Sequence, residues 1–350
     1  MWTENKVYKE DLDYIINDKS IRWEKYRNSR VLVSGATGMI GSSVVNALVY
    51  ANMKLGLGIS IYAMVRNVSK AENMFSEQLK SGCGLELICG DVLEPLDSDI
   101  KFDYIIHTAS PTLGAYMIQH PLDVIKAGVS GTLNLIETAV KSGSRGFVFL
   151  SSMEIYGEVN EEKLLSESDL GYVDLRNVRN CYQETKRTGE MICLSAAKEY
   201  GLRTVSVRLA QTFGAGVSHD DGRVFAMMAR CAENGEDIVL KTKGESRRPY
   251  LYTAQAVSAI LCALTEGEAG KSYNAANPST YCSVYEMGQL VAKELTGGKI
   301  KVVIDESGDN SNYPKASFWK LDTSEIEKLG WKSSGTLMDM YRRMMDSFKA

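Results

Sequence analysis

The sequence predicts a doubly wound α/β fold, a parallel sheet covered by helices on both faces, followed by a smaller C-terminal domain. Three observations predict it. Short apolar runs recur between helical periods from Arg30 onward; runs bounded by glycine and separated by amphipathic helices are the pattern of strands buried on both faces. Glycines cluster where the first run meets the first helix, in SGATGMIG at residues 34–41. Beyond Gln211 the alternation fades into longer loops, the Arg-rich GESRRPYLY and a mixed tail ending in helix.

Taken in order, RVLVSG is the first strand and a helix follows from about Ile40. ISIYAMV, a helix near residues 69–80, LELICGDV, FDYIIHTAS, a helix around 122–141 and GFVFLSS continue the series. A helix from about Cys181 to Tyr200 leads into another buried strand, LRTVSVRL. Residues 1–29 read as an extension, in which Leu12, Ile15, Ile16 and Trp23 form a short amphipathic helix lying on the main body. The expected division is an extension at 1–29, the α/β domain at 30–209 and the smaller domain at 210–350, of which a part near 247–265 returns to the α/β domain.

The 350 residues suffice for one large domain or two unequal ones. A net charge of −4 with both signs interspersed leaves no basic stripe, which excludes nucleic acid as a partner. The apolar stretch from Gly41 to Val65 is interrupted by Asn46, Asn52 and Lys54, short of the ~20 unbroken apolar residues of a membrane span. The start, MWTENKVYKEDLDYII, is charged and lacks an apolar signal core, so a soluble, cytoplasmic protein is expected. The seven cysteines form no C-x-x-C pair and read as structural thiols, with Cys181 the candidate for reactivity because it adjoins Tyr182. His107, His120 and His219 are too scattered to suggest a metal site.

Gly35, Gly38 and Gly41 form G-x-x-G-x-x-G between a strand and a helix. Glycine is needed where the backbone turns sharply and where a pyrophosphate approaches main-chain N–H groups at a helix N-terminus, so this turn predicts a dinucleotide site in a Rossmann-type domain. An NAD site places Asp or Glu at the end of the second strand to hold the ribose hydroxyls. No acid occurs between Ile59 and Lys70, and Arg66 sits at the expected place. Arginine suits a ribose 2′-phosphate, which favours NADP, while an arginine covering the adenine of NAD is the competing reading. Asp91, at the end of the third strand, is placed to contact the adenine.

Tyr182 and Lys186 lie four apart in a helical segment and therefore share a face. An ammonium beside a phenol favours the phenolate, the usual way to make tyrosine a base near neutral pH.

With these elements in order, the chain resembles the extended branch of the short-chain dehydrogenase/reductase superfamily, from Arg30 almost to the end. Within it the chain is most similar to UDP-glucuronate decarboxylases and their nucleotide-sugar epimerase and dehydratase relatives. The stretches that carry this are HTASPTLGAYMIQHPLDVI, GTLNLIE, SSMEIYG, CYQETKR, RLAQTFGAGV, DDGRVF and SRRPYLY. The resemblance implies that Tyr182 takes the proton from a sugar hydroxyl while hydride passes to the nicotinamide. Lys186 would hold the nicotinamide ribose and lower the tyrosine pKa, Ser152 would share a hydrogen bond with the reacting oxygen, and Glu154 would stand near the sugar ring. The cofactor is expected against Gly35, Thr37, Gly38, Met39, Ile40, Gly41, Arg66, Asp91, Val92, Ala109 and Lys186. The nucleotide-diphosphate sugar is expected against Ser110, Gln211, Arg223 and Arg248, with Arg247 as the alternative grip on the pyrophosphate. Relatives also pair as homodimers through the helix carrying Tyr182 and the one before it, and Met191, Ile192, Leu194 and Ser195 offer a suitable surface.

Four positions depart from the pattern. Met153 replaces the aspartate of 4,6-dehydratases and cannot donate a proton. Gly128 and Gln211 replace asparagines, and YTAQAV lacks the usual aspartate after the SRRPYLY stretch. Two enzymatic readings follow: a decarboxylase or epimerase that recycles its cofactor, or a net NADPH-dependent reductase of a keto group in a nucleotide-linked sugar or polyol precursor. A non-catalytic dinucleotide-binding protein is the third reading.

Overall fold

The computed structural model describes residues 4–96, 98–112, 114–307 and 316–348, so the first three residues of the expected extension lie outside it. The chain begins with α1 (Lys6–Asn17), which turns Leu12 and Ile15 inward, as the spacing predicts, whereas Trp23, expected with them, lies beyond the helix in a separate 3-10 turn, Trp23–Tyr26. Then follow β1 (Arg30–Ser34), α2 (Met39–Leu55), β2 (Ser60–Val65), α3 (Val68–Met74), α4 (Ser76–Lys80), β3 (Leu85–Cys89) and β4 (Tyr104–His107). Next come α5 (Gly114–Gln119), α6 (Pro121–Ser142), β5 (Gly146–Ser152), β6 (Lys163–Leu165), α7 (Cys181–Tyr200) and β7 (Thr204–Leu209). The second half contains β8 (Gln211–Phe213), α8 (Val224–Asn234), β9 (Ile238–Leu240), β10 (Arg247–Tyr252), α9 (Thr253–Glu266), β11 (Lys271–Ala275) and β12 (Asn277–Ser283). It ends in α10 (Val284–Thr296), β13 (Val302–Ile304), β14 (Trp319–Leu321), α11 (Ser324–Lys328) and α12 (Leu337–Phe348).

Seven strands form one parallel sheet in the order β3-β2-β1-β4-β5-β7-β11. Its interior strand β1 has Val31, Leu32 and Val33 fully buried, as an apolar run covered on both faces must be. The connections reverse direction between β1 and β4. That reversal opens a crevice at the carboxyl ends of the strands, where ligands bind in open α/β sheets. The expected helix near 69–80 is two helices, because the fully buried Phe75 leaves helical geometry (φ −105°, ψ 20°) between α3 and α4.

After Gln211 the chain builds small sheets: β12-β10-β8, β13-β9 and β14-β6. The Arg-rich segment supplies the strand β10, paired parallel to β8 and antiparallel to β12. Helix α9 is buried from Thr253 through Thr265, and β11 pairs with β7 as the seventh strand of the main sheet.

Two close approaches set the height of α7 above the sheet. A Cβ on Gly189 would stand 2.3 Å from Cζ of Phe149 on β5, and one on Gly128 of α6 would stand 1.9 Å from Cγ2 of Thr185. Both are far inside van der Waals contact, so these helices pack as closely as they do because the two positions carry no side chain. Gly128, one of the departures noted in the sequence, therefore takes part in seating the helix that carries Tyr182. Among the described residues no helix is long and apolar enough to cross a membrane.

Candidate active site

The glycine turn occupies the carboxyl end of β1. Gly35 adopts φ +67°, and a Cβ there would lie 2.7 Å from the backbone N and Cα of Ala109. A Cβ on Gly41 would lie 2.2 Å from the Gly35 carbonyl oxygen. Gly38 precedes α2 without a side-chain cap, so the first N–H groups of the helix face the crevice uncapped by any side chain. An uncapped helix start in a turn too tight for a Cβ at Gly35 or Gly41 fits a pyrophosphate. Thr37, Met39 and Ile40 are half-buried around the same turn. Thr108 fixes it from the next strand, its hydroxyl donating to the Ser34 carbonyl at 2.6 Å.

Arg66 follows β2 directly, is 80 % exposed, and places its guanidinium 3.9 Å from the Asp91 carboxylate. Asp91 in turn accepts the Leu93 N–H at 3.0 Å. Val92 packs against Gly131 of α6, and its carbonyl accepts from Asn134 at 2.9 Å, which anchors the loop after β3. Arg66, Asp91 and Val92 thus form the outer end of the crevice whose inner end is the glycine turn and Ala109. Ser110 stands just beyond, half-buried.

Ser152 ends β5 and accepts the Glu154 N–H at 3.2 Å. Tyr182 and Lys186 lie on the first turns of α7, both buried, with the lysine nitrogen 5.5 Å from the tyrosine ring centroid. The Ser152 hydroxyl stands where it favours the ionised Tyr182 phenol. Lys186 donates to the Leu150 carbonyl at 2.7 Å, and burial brings its pKa down to about 8. Lys186 is not among the groups that shift the phenol most. Burial pushes the phenol well up and the Glu154 charge adds to this; Ser152, Arg179 and Arg223 pull the other way. His107 is fully buried between Ser34 (2.8 Å) and Thr132 (3.1 Å), with a pKa brought down to about 3, so it is a neutral prop of the crevice floor.

Glu154 is not free. Its carboxylate is gripped on both oxygens by Arg179, with Nη2 at 3.0 Å from Oε1 and Nη1 on Oε2. The sequence reading missed Arg179; the signal was present, since it lies one helical turn before Tyr182. Cys181 donates weakly to the Met117 carbonyl at 3.8 Å, and burial raises its pKa, which argues against a reactive thiolate.

From the second half, Arg223 reaches back to the glycine turn. Its Nη2 lies 2.6 Å from Asp221 and 3.8 Å from Sδ of Met39. Asp221, also missed, sits two residues before the arginine and fixes its head. Gln211 opens β8, half-buried, opposite Tyr250 of β10. The adjacent arginines of β10 differ sharply. Arg247 is paired with Glu162 and Glu286, each at 2.9 Å. Arg248 lies over the Trp319 ring at 5.2 Å, its Nε lacks a hydrogen bond, and no carboxylate among the described residues pairs with it. Of the two, Arg248 is the one with donors to spare for an anion.

Residues 31–276 match the NAD dependent epimerase/dehydratase family. The chain belongs to that family, in the extended branch of the short-chain dehydrogenases/reductases. Among curated relatives, UDP-glucuronic acid decarboxylase 5 of Arabidopsis thaliana is 30 % identical over 331 residues, covering 92 % of this chain and 90 % of the relative. UDP-glucuronic acid decarboxylase 1 of Xenopus tropicalis is 28 % identical, covering 80 % of this chain and 64 % of that protein. Among solved structures, UDP-glucose 4-epimerase of Thermotoga maritima superposes with a TM-score of 0.74 at 23 % identity, covering 91 % of this chain and 98 % of that one. UDP-glucuronic acid 4-epimerase of Bacillus cereus, solved with UDP-glucuronic acid and NAD, gives 0.74 at 19 % identity, with 91 % and 99 % covered. The Rossmann-type architecture predicted from the sequence is the fold these neighbours share.

Proposed function

We propose that this protein transiently oxidises the sugar of a nucleotide-diphosphate sugar and then decarboxylates or epimerises it, recycling its cofactor. The observation that carries the reading is the convergence of Ser152, Tyr182 and Lys186 with a glycine turn that has no room for a Cβ at Gly35 or Gly41. The relatives named for UDP-glucuronic acid point to a sugar acid as substrate.

A nicotinamide dinucleotide held at the glycine turn, with Lys186 on its ribose, would supply a reversible hydride acceptor beside the sugar. Tyr182 takes the hydroxyl proton, with Ser152 sharing the hydrogen bond to the reacting oxygen, and Lys186 holds the ribose. Oxidation of a hydroxyl β to a carboxylate gives a β-keto acid, which loses CO2 readily; without that loss, return of hydride to the other face inverts the carbon. Gln211, Arg223 and Arg248 hold the nucleotide and pyrophosphate, Arg248 through the donors that no carboxylate occupies. Met153 supplies no proton for a departing hydroxyl, so 4,6-dehydration is disfavoured.

Arg66 supports a second reading, a net reductase using NADPH, because its exposed guanidinium suits a ribose 2′-phosphate better than ribose hydroxyls. Denaturing the purified protein and identifying the released dinucleotide separates the two. Near-stoichiometric NAD, together with CO2 or a 4-epimer formed from UDP-glucuronate, supports the first. An empty protein that prefers NADPH overturns it in favour of the second. We further propose a cytoplasmic homodimer paired through α6 and α7, where Leu122, Leu133, Met191 and Leu194 are exposed; Met191→Glu should then shift the sedimentation coefficient to that of a monomer.

A further inference from the structure

We propose that Arg179 is a positioning residue that holds Glu154 beside the Tyr182 phenol in a neutral carboxylate–guanidinium pair, and thereby sets the pH at which Tyr182 can act as a base. The inference rests on the role given to Tyr182 above.

Both partners are anchored to the turns that carry the reacting groups. Glu154 sits two residues after Ser152 and hangs from its hydroxyl through its own N–H. Arg179 lies in a 3-10 turn, Val178–Asn180, that runs directly into α7. That turn is fixed by Asn177, whose side chain accepts the Arg179 N–H at 3.0 Å, and by Asn180, which donates to the Asp174 carbonyl at 2.9 Å. The ion pair therefore ties the end of β5 to the start of α7 across the phenol. Its side chains are only 24 % and 21 % exposed, so solvent screens the two charges incompletely. Two contacts at a planar fork fix orientation as well as distance.

The charges around the phenol show what the pair does. Glu154 and Ser152 act on it from the turn that ends β5, Arg179 from the turn that leads into α7, and Arg223 from the residue before α8. Met117 of α5 and Val124 of α6 close the remaining sides with apolar surface. Lys186 is directed to the Leu150 carbonyl. Glu154 is thus the one negative charge in this set. Left unpaired, it would oppose formation of a phenolate; paired with Arg179, it is neutralised while still pointing into the site.

The test is a cycle of variants in the dinucleotide-loaded enzyme, following the pH dependence of bound-dinucleotide reduction with UDP-glucuronate as probe. Arg179→Gln should move the basic inflection up by about one unit, since a like charge is left unopposed within a few ångströms. Glu154→Gln should move it down. The double variant should return to within about 0.3 units of wild type, and Arg179→Lys should recover most of the loss. A role confined to folding would lower the amplitude without moving the inflection in opposite senses. Unshifted inflections in both single variants, or shifts of the same sign, overturn the proposal. If Arg179→Gln does not bind dinucleotide, Glu154→Gln still decides it: an inflection moved down supports the proposal, and one unmoved or moved up overturns it. Failure of the underlying reading looks different: Tyr182→Phe would then still reduce the dinucleotide. If wild type does not oxidise the probe, NMR titration of 13Cζ-labelled tyrosine, with Tyr182 assigned by its loss in Tyr182→Phe, reads the same order of shifts without a substrate.

Discussion

The two halves of the molecule build their share of the site in different ways. In the first half most of the proposed contacts stand at the carboxyl ends of strands of one parallel sheet, the glycine turn after β1, Arg66 after β2, Asp91 after β3, Ala109 after β4 and Ser152 at the end of β5, with Tyr182 and Lys186 added by α7. In the second half Gln211, Arg223 and Arg248 come from a short strand, a helix start and a strand of a separate sheet. Their heads are fixed by partners such as Asp221 and Trp319 rather than by sheet geometry. A repeating scaffold supplies positions at regular intervals; an irregular one must secure each side chain individually.

If the first half carries the chemistry, its substitutions should have the largest effects. Tyr182→Phe should lower turnover by about 10³-fold, the usual worth of a general base, while dinucleotide affinity changes by less than about threefold. Stopped-flow reduction of the bound dinucleotide and its equilibrium binding check the two parts. Gly41→Ala should cost at least about 100-fold in dinucleotide affinity, since the new Cβ collides with the Gly35 carbonyl at 2.2 Å. Binding as tight as wild type, measured by calorimetry, would break the cradle argument.

The second half should show its dependence on individual partners. Arg248→Ala should raise KM for UDP-glucuronate by about 10- to 100-fold, in keeping with the loss of charge-assisted hydrogen bonds, and leave the melting temperature within a few degrees. Arg247→Ala should do the reverse, lowering the melting temperature with little change in KM, because its two glutamates lose their partner. Equal effects on KM would erase the distinction between neighbours.

The seam between α1 and the C-terminal helix offers a pH test. Burial pushes the Asp11 carboxyl up to about 6, against the pull of Arg343 at 2.6 Å. A folded pKa above the ordinary 3.8 makes a stabilising contribution that is complete below about pH 4 and is lost as pH rises through about 6. Asp11→Asn should remove that fall, a difference of ~1–3 kcal/mol in the pH dependence of chemical denaturation. The smallest expected effect is at Arg66: Arg66→Ala should weaken NADPH about tenfold and NADH less than about twofold if a 2′-phosphate is its partner. Equal losses for both would reduce it to an adenine contact.

Much of the first half was legible because its signals are local. The apolar runs, the three glycines and the spacing of Tyr182 and Lys186 each concern residues within a few positions of one another. Met153, Gly128 and Arg66 were visible as departures for the same reason. The split at Phe75 was not, since only packing against the core decides that its ring must turn inward. Nor was the Glu154–Arg179 pair, whose members are 25 positions apart and meet only when β5 and α7 pack together. Nor was the anchor of Lys186: four-residue spacing puts its side chain on the face of Tyr182, but that its head donates to the Leu150 carbonyl of a different element is decided by packing.

The sequence by itself determined the alternation of strands and helices, the place of the glycine turn and the identity of the groups available for chemistry, because periodicity and turn residues act over a few peptide bonds. The tertiary structure alone decided which charges are free and which are spent. Arg247 and Arg248 are neighbours of identical chemistry, yet one meets two carboxylates and the other an indole face. Successive residues of a strand point to opposite sides, and what waits on each side is set by distant parts of the chain.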